Sequence, residues 1–389
     1  MPPSAPSAIE HHIVCVVAAR PNFMKMAPIL QALKQVRPAL RLTLVHTGQH
    51  YDAAMNTQYF EALGMAVPDV NLGVGSGSHA MQTAEVMRRF EPVLDLDRPC
   101  AVLVVGDVNS TLACALVAAK KGIAVIHVEA GLRSFDRSMP EEINRLLTDQ
   151  LSDLMFTSEP CAQENLLREG HAASKLHHVG NVMIDSLRNQ LADAIPVAHI
   201  VAASTRPDFL QGGRGHALLT LHRPSNVDDP HRLASLIATI AHLSATLPVI
   251  FPVHPRTRAM LQQFGLERDL EIDTILTLPP QGYLHMLGLM QQARMVLTDS
   301  GGVQEETTAL GVPCITLRSN TERPITVTEG SNTIAGHEPG LILSLCNDIL
   351  RFGGKAGHIP PLWDGQAATR IAVIIKAWLQ QKSVPQAVL

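Results

Sequence analysis

The sequence predicts an α/β protein of two similar domains, each built on a parallel sheet. Three observations carry this: a length of 389 residues, an apolar composition, and short hydrophobic runs that alternate with amphipathic stretches along most of the chain. A chain this long exceeds the size at which a single core usually stops growing. Hydrophobic residues make up 46% and charged ones 17%, so most of the chain must be buried in packed layers.

The alternation begins at residue 13. HIVCVVAA, RLTLVHT, AVLVVGD, AVIHVEA and LMFTSE each read as a buried strand followed by a helix-like segment, the pattern of βα units in a parallel sheet. A second series opens near residue 216 with HALLTLH, LPVIFPVH, TILTLPP, MVLTDS and PCITLR, separated by helical patterns such as HRLASLIATIAHL. Between them, from Ala192 to Gly215, Pro196, Pro207 and the pair Gly212-Gly213 interrupt both periodicities. Domains are therefore expected over 1–191 and 192–365, with the amphipathic segment AATRIAVIIKAWLQQK forming a final helix within 366–389 and the last residues, SVPQAVL, fraying.

The net charge of -4 gives no chain-wide attraction to nucleic acid or to an anionic membrane, so an anionic ligand must be met by local positive groups. Cys15, Cys100, Cys114, Cys161, Cys314 and Cys346 lie far apart and read as reduced core thiols. His11-His12 reads as a tail and His177-His178 as a strand edge; no His/Cys/Asp cluster has zinc-like spacing, and no metal is expected. The start, MPPSAPSAIEHH, has no basic region, and the run Ile13 to Ala19 is too short for a signal peptide or a membrane span, which makes the cytoplasm the expected compartment.

In open parallel sheets ligands bind beyond the carboxyl ends of the strands. Polar residues at those places are Arg20 with Lys25; Thr47, Gln49 and His50; Asp107, Asn109 and Ser110; His127, Glu129 and Arg133; His222 and Arg223; His254 and Arg256; Gln281; and Asp299 to Glu306. Any one could be a helix cap, and for Ser110, Thr298 and Asp299 capping explains the residue at least as well. Their recurrence in both halves points to a shared small-ligand site.

TDSGGVQEE follows the strand MVLT and opens a helix, with Gly301 and Gly302 allowing backbone N–H groups to approach a diphosphate. Glu305 and Glu306 read either as dipole-stabilising carboxylates of the first turns or, for Glu306, as an acceptor for two ribose hydroxyls. LGVGSGSH, Leu72 to His79, lacks G-x-G-x-x-G spacing and reads as a flexible loop; without a dinucleotide fingerprint, redox chemistry through NAD loses support. Glu141 and Glu142 follow Pro140 and read as an acidic first helical turn. Glu129, after a buried strand, needs a partner, for which Arg133 or Arg145 is available.

These strings resemble the non-hydrolysing UDP-N-acetylglucosamine 2-epimerase family: ARPNFMKMAPI, TGQH, GDVNSTLA, HVEAGLRSFDRSMPEEINR, HRPSNV, PVHPRTR, LTDSGGVQEE and TERP, in family order from residue 19 to 324. The resemblance implies a glycosyltransferase type B architecture: two Rossmann-like domains, an active site in the cleft between them, and a terminal helix crossing back to the first domain. It implies that Arg20, Lys25, Gln281, Ser300, Gly302, Glu306 and Arg323 hold UDP, with His50, Arg145, His254, Met286 and Gly301 also at the substrate. Asp107, Glu129, Glu141 and His222 would surround the reacting sugar. A homodimer is implied as well. Pro224-Ser225 and Tyr51-Asp52 depart from the pattern of members activated by a second substrate molecule, and Met286 stands where an aromatic residue near the uracil is common.

The chemistry fits such residues. The hydrogen on carbon 2 of the sugar is not next to a carbonyl, but departure of UDP from carbon 1 leaves an oxocarbenium-like centre that acidifies it toward a carboxylate. Proton return to the other face and re-addition of UDP invert carbon 2 through a 2-acetamidoglucal without a cofactor. Burial and mutual repulsion among three carboxylates would keep one protonated, and Arg20, His222 and the glycine-rich helix end would stabilise the leaving diphosphate. The nearest alternative is the same reaction on a UDP-2,3-diacetamido uronic acid; a retaining glycosyltransferase and a sugar-nucleotide sensor rank lower.

Overall fold

The computed structural model describes residues 11–48 and 64–382, the side chain of Arg20 excepted; His50, Tyr51-Asp52 and SVPQAVL lie outside the described residues. The chain divides into two compact units, one made of residues 1–186 and 362–389, the other of 187–361. It passes from the first to the second within the helix Val182–Gln190.

Among the described residues, the first unit holds a parallel sheet of β1 (His12–Val17), β2 (Arg41–His46), β3 (Val70–Asn71), β4 (Ala101–Val105), β5 (Ala124–Val128), β6 (Leu154–Thr157) and β7 (Leu176–His178), in the order β3-β2-β1-β4-β5-β6-β7. The second holds β8 (Ala217–Thr220), β9 (Val249–Pro252), β10 (Ile275–Leu278), β11 (Met295–Thr298), β12 (Cys314–Thr316) and β13 (Asn332–Ile334), in the order β10-β9-β8-β11-β12-β13. Each is a doubly wound, Rossmann-like sheet whose order reverses beside its first strand, between β1 and β4 and between β8 and β11. At such a switch point neighbouring loops diverge and leave a crevice above the carboxyl ends.

Strands covered on both faces need apolar residues at every position, and β1, β4 and β5 are buried throughout. Period-two geometry sends alternate side chains to opposite layers. In the second unit Leu219, Phe251 and Leu297 join one core cluster, while Leu218, Ile250 and Val296 join the other.

The terminal helix Ala367–Lys382 packs on the helix Arg20–Lys34 within the first unit. Asp185 accepts hydrogen bonds from the amides of Ala367 and Ala368, Trp363 Nε1 donates to the Ser158 carbonyl at 3.1 Å, and Arg370 reaches the Val179 carbonyl. Gly180 lies at φ +86°, where a Cβ would stand 2.1 Å from the Leu362 carbonyl oxygen.

Several sequence expectations need correction. His12 is no tail residue: it opens β1, is buried, and bonds Thr43 Oγ1 at 2.9 Å and the Asp97 carbonyl at 3.1 Å. Cys100 is exposed and Cys161 half-buried, whereas Cys15, Cys114, Cys314 and Cys346 are core thiols. Within the stretch where periodicity lapsed, Val197–Ala202 forms a short helix anchored by Ile200 and Val201. No helix of the described residues is long and apolar enough to cross a membrane.

Candidate active site

In the first unit three loops at strand carboxyl ends bring their polar residues together. After β4, Gly106 turns at φ +68°, and a Cβ there would stand 3.2 Å from Lys25 Nζ. Lys25, from the helix Arg20–Lys34, passes that gap and reaches the Glu129 carboxylate at 2.7 Å, with both residues buried. The expected partners of Glu129 were arginines. Arg133 pairs with Asp149 and Glu169, and Arg145 pairs with Asp107 and Glu142, each at 2.6 or 2.7 Å.

Glu129 itself sits at φ +71°, a left-handed conformation that costs a non-glycine residue of order 1–3 kcal/mol and that tends to mark functional positions. It lets the side chain leave the strand end toward Lys25 rather than continue along the sheet. Pro140 opens the helix Pro140–Leu151, and its first turn carries Glu141 and Glu142. Glu142 is the buried one, accepting from the amides of Ser134 and Phe135 at 2.9 Å; burial raises its carboxyl, and these bonds with the Arg145 charge outweigh that and hold it below its ordinary range. Glu141 is half-buried beside it. Two ion pairs, Lys25–Glu129 and Arg145–Asp107, thus stand at these strand ends, with Asn144 donating to the Asp107 carbonyl at 2.9 Å.

In the second unit His222 follows β8 and His254 follows β9, their rings 5.5 Å apart. Asp299, at the end of β11, places His222: it accepts from His222 Nδ1 at 2.8 Å and from the amides of His222 and Arg223. Burial raises the Asp299 carboxyl, but the ring and the amides outweigh it and leave it below its ordinary range. His254 is exposed, and its ring accepts from the Arg256 amide, so it also caps the helix Pro255–Phe264. Gln281 Nε2 donates to the Pro279 carbonyl, and Met286 is half-buried against the apolar layer of the helix Tyr283–Gln291.

Ser300 caps the helix Gly301–Leu310 without a side-chain bond. A Cβ on Gly301 would stand 2.9 Å from Glu322 Oε1, so a carboxylate already lies at this helix end. Burial raises Glu322, but Arg323, Arg318 and Arg223 outweigh it and bring it to about 2. Glu305 and Glu306 do not act as dipole carboxylates: both are buried, and Glu305 holds Arg323 Nε at 2.6 Å. Glu306 faces the Tyr283 phenol, a neighbour that the sequence reading missed because it lies on another helix.

Burial pushes Glu306 up to about 7; the Tyr283 phenol opposes this and the Glu305 charge adds to it. Between the ordinary 4.5 and about 7 the folded chain keeps a proton that the unfolded chain has lost. Stability of the second unit is therefore expected to fall as pH rises through that window, with the loss complete above it. In Glu306→Gln this part of the decline should vanish; denaturant midpoints measured from pH 4.5 to 8 check it, and parallel curves for both proteins would refute it.

A family model described as UDP-N-acetylglucosamine 2-epimerase matches residues 31–376. The chain belongs to this family. Among its relatives, a UDP-N-acetylglucosamine 2-epimerase of Methanococcus maripaludis is 40% identical over 371 residues, covering 94% of this chain and 98% of the relative. A UDP-2,3-diacetamido-2,3-dideoxy-D-glucuronate 2-epimerase of Pseudomonas aeruginosa is also 40% identical, over 368 residues, 92% of this chain and 98% of the other. The crystal structure of the Methanocaldococcus jannaschii UDP-GlcNAc 2-epimerase in complex with UDP-GlcNAc and UDP aligns with a TM-score of 0.83 at 39% identity, over 94% of this chain and 99% of that one. The fold extends beyond the epimerases: a lipopolysaccharide outer core galactosyltransferase, 12% identical, aligns with a TM-score of 0.51. This 2-epimerase chain therefore has the glycosyltransferase type B architecture in its two Rossmann-like units.

Proposed function

We propose that the chain interconverts UDP-N-acetylglucosamine and UDP-N-acetylmannosamine by eliminating and re-adding UDP. The observation that carries this is the match to 2-epimerases over nearly the full length, together with a buried, lysine-paired Glu129 at a strand carboxyl end. In the forward direction the C1–O bond breaks with its electron pair leaving on UDP, the C2 proton passes to a carboxylate, and a C1–C2 double bond forms. A proton then returns to C2 from the opposite face, and the diphosphate oxygen adds back to C1. Protons and electrons balance with no cofactor.

In this reading Asp107, Glu129 and Glu141 handle the proton on the two faces, and His222, aligned by Asp299, helps neutralise the departing diphosphate with Arg20 and Lys25. Ser300, Gly301 and Gly302 offer backbone amides, Arg323 a guanidinium, and Glu306, Gln281 and Met286 meet the ribose and uracil; Arg145 and His254 border the sugar, and His50 belongs to the same set. In this reading the first unit, 1–186 with 362–389, carries the proton-handling carboxylates, and the second, 187–361, supplies most of the contacts to UDP. Support for a homodimer comes from the exposed apolar side chains Met81, Ile143 and Leu147 beside a hollow lined by Ala80, Met87 and Pro140, a surface suited to a second copy. The buried free thiols fit a reducing cytoplasm.

Proton NMR of UDP-N-acetylglucosamine with the enzyme in heavy water tests the reaction. Deuterium should enter C2 of the product as the manno isomer accumulates; a product without it would end the elimination mechanism. The relative acting on a diacetamido uronate favours one second reading, the same inversion on that sugar. Turnover of the two substrates side by side separates them.

A further inference from the structure

Glu129 is held in its left-handed conformation by something other than its own side chain. The residues flanking it are bound to one buried carboxylate, Asp149, which lies inside the helix Pro140–Leu151 and has no solvent exposure. Two residues before Glu129, His127 Nδ1 lies 2.7 Å from Asp149 Oδ1; two residues after it, the Gly131 amide donates to Asp149 Oδ2 at 3.1 Å. Arg133 Nη2 donates to the same oxygen at 2.7 Å. The far nitrogen of the His127 ring lies 2.9 Å from the Gly106 carbonyl, the residue immediately before Asp107. One side chain thus fastens both ends of the Glu129 turn and, through one imidazole, the end of the neighbouring strand.

We propose that Asp149 is the positioning residue of this site: it grips the chain on both sides of Glu129, keeps residue 129 left-handed with its carboxylate on Lys25, and through His127 sets the place where Asp107 leaves β4. The inference rests on the epimerase reading for its activity readout and on backbone geometry for the rest. Asp149 touches no reacting atom. It acts because a general base displaced by about 1 Å loses on the order of 10²-fold in rate.

A carboxylate bonded to the other end of β5 supplies the control. Asp153 Oδ2 accepts the Val125 amide at 3.0 Å, at the amino end of β5, away from Glu129. Asp149→Asn removes the charge that draws three donors to one point, while Asp153→Asn loosens the strand without touching the turn. Turnover of the UDP-sugar, UDP affinity and amide hydrogen exchange are measured on the full chain for both variants. Asp149→Asn should lower kcat by about 10²-fold with KM and UDP affinity little changed, and should speed exchange at the amides of residues 129–131 more than along β5. Asp153→Asn should keep kcat. Unchanged kcat in Asp149→Asn, or parallel losses of kcat, UDP affinity and melting temperature in both variants, would overturn the proposal.

Should Asp149→Asn fail to fold, His127→Gln cuts the arm to Gly106 and should still lower kcat by about 10-fold at constant UDP affinity, whereas full activity would overturn the proposal. If the wild-type protein turns over neither UDP-sugar, the activity reading has failed. The exchange rates at residues 129–131 then decide the positioning role by themselves.

Discussion

Replacing Glu129 with glutamine is expected to lower turnover by about 10³-fold while leaving UDP affinity close to that of the wild type. Glutamine keeps the shape of the side chain and can still occupy the left-handed position at φ +71°. It cannot accept a proton. The change also strips Lys25 of its anionic partner, and a buried ammonium without a counter-charge is destabilising. A lower melting temperature should accompany the loss of rate, so turnover must be read well below it. Steady-state kinetics on the UDP-sugar and calorimetric titration with UDP measure the two effects; a variant that keeps its rate would remove Glu129 from the chemistry.

The second large effect concerns stability. Gly180→Ala should destabilise the first unit by about 3 kcal/mol, adding a left-handed alanine to the cost of overpacking. The new methyl would stand 2.1 Å from the Leu362 carbonyl oxygen, and Leu362 is itself left-handed at φ +64°, so neither backbone can yield easily. For a unit of this size the melting temperature should fall by roughly 6 to 12 °C. Gly170→Ala makes the comparison: it shares a positive φ of +91° but has no atom within 4 Å of the added Cβ. Scanning calorimetry should show the larger loss at Gly180; equal losses would mean that the close approach costs nothing.

The strands plainest in the sequence are those sealed on both faces. AVLVVGD and AVIHVEA are unbroken apolar runs because layers of side chain cover β4 and β5 above and below. β3 and β13 escaped notice, being two and three residues long, too short for any period to show. His12 was misread because a histidine pair near a terminus looks like a tail, while its burial depends on Thr43 and Asp97, far along the chain.

At the site, residue types and their placement after strands could be recognised, but pairings could not. Lys25 and Glu129 are 104 positions apart, and nothing local favours that lysine over Arg133 or Arg145. Asp299 looked like a cap and proved to accept from the His222 ring. Asp149 was not singled out in the sequence at all. Its three donors come from the strand end and the following loop, at a range that helix periodicity does not encode.

The first unit is sewn shut by a helix that follows the second unit in the chain. Asp185 and Ser158 wait for partners that follow the entire second unit in the chain, so a ribosome must finish that intervening domain before the earlier one can complete its own shell. Until then the face of the helix Arg20–Lys34 that receives Ala367–Lys382 stays bare. Synthesis order and folding order must therefore part company here, with the later-made domain free to reach its native state ahead of the one that began emerging before it.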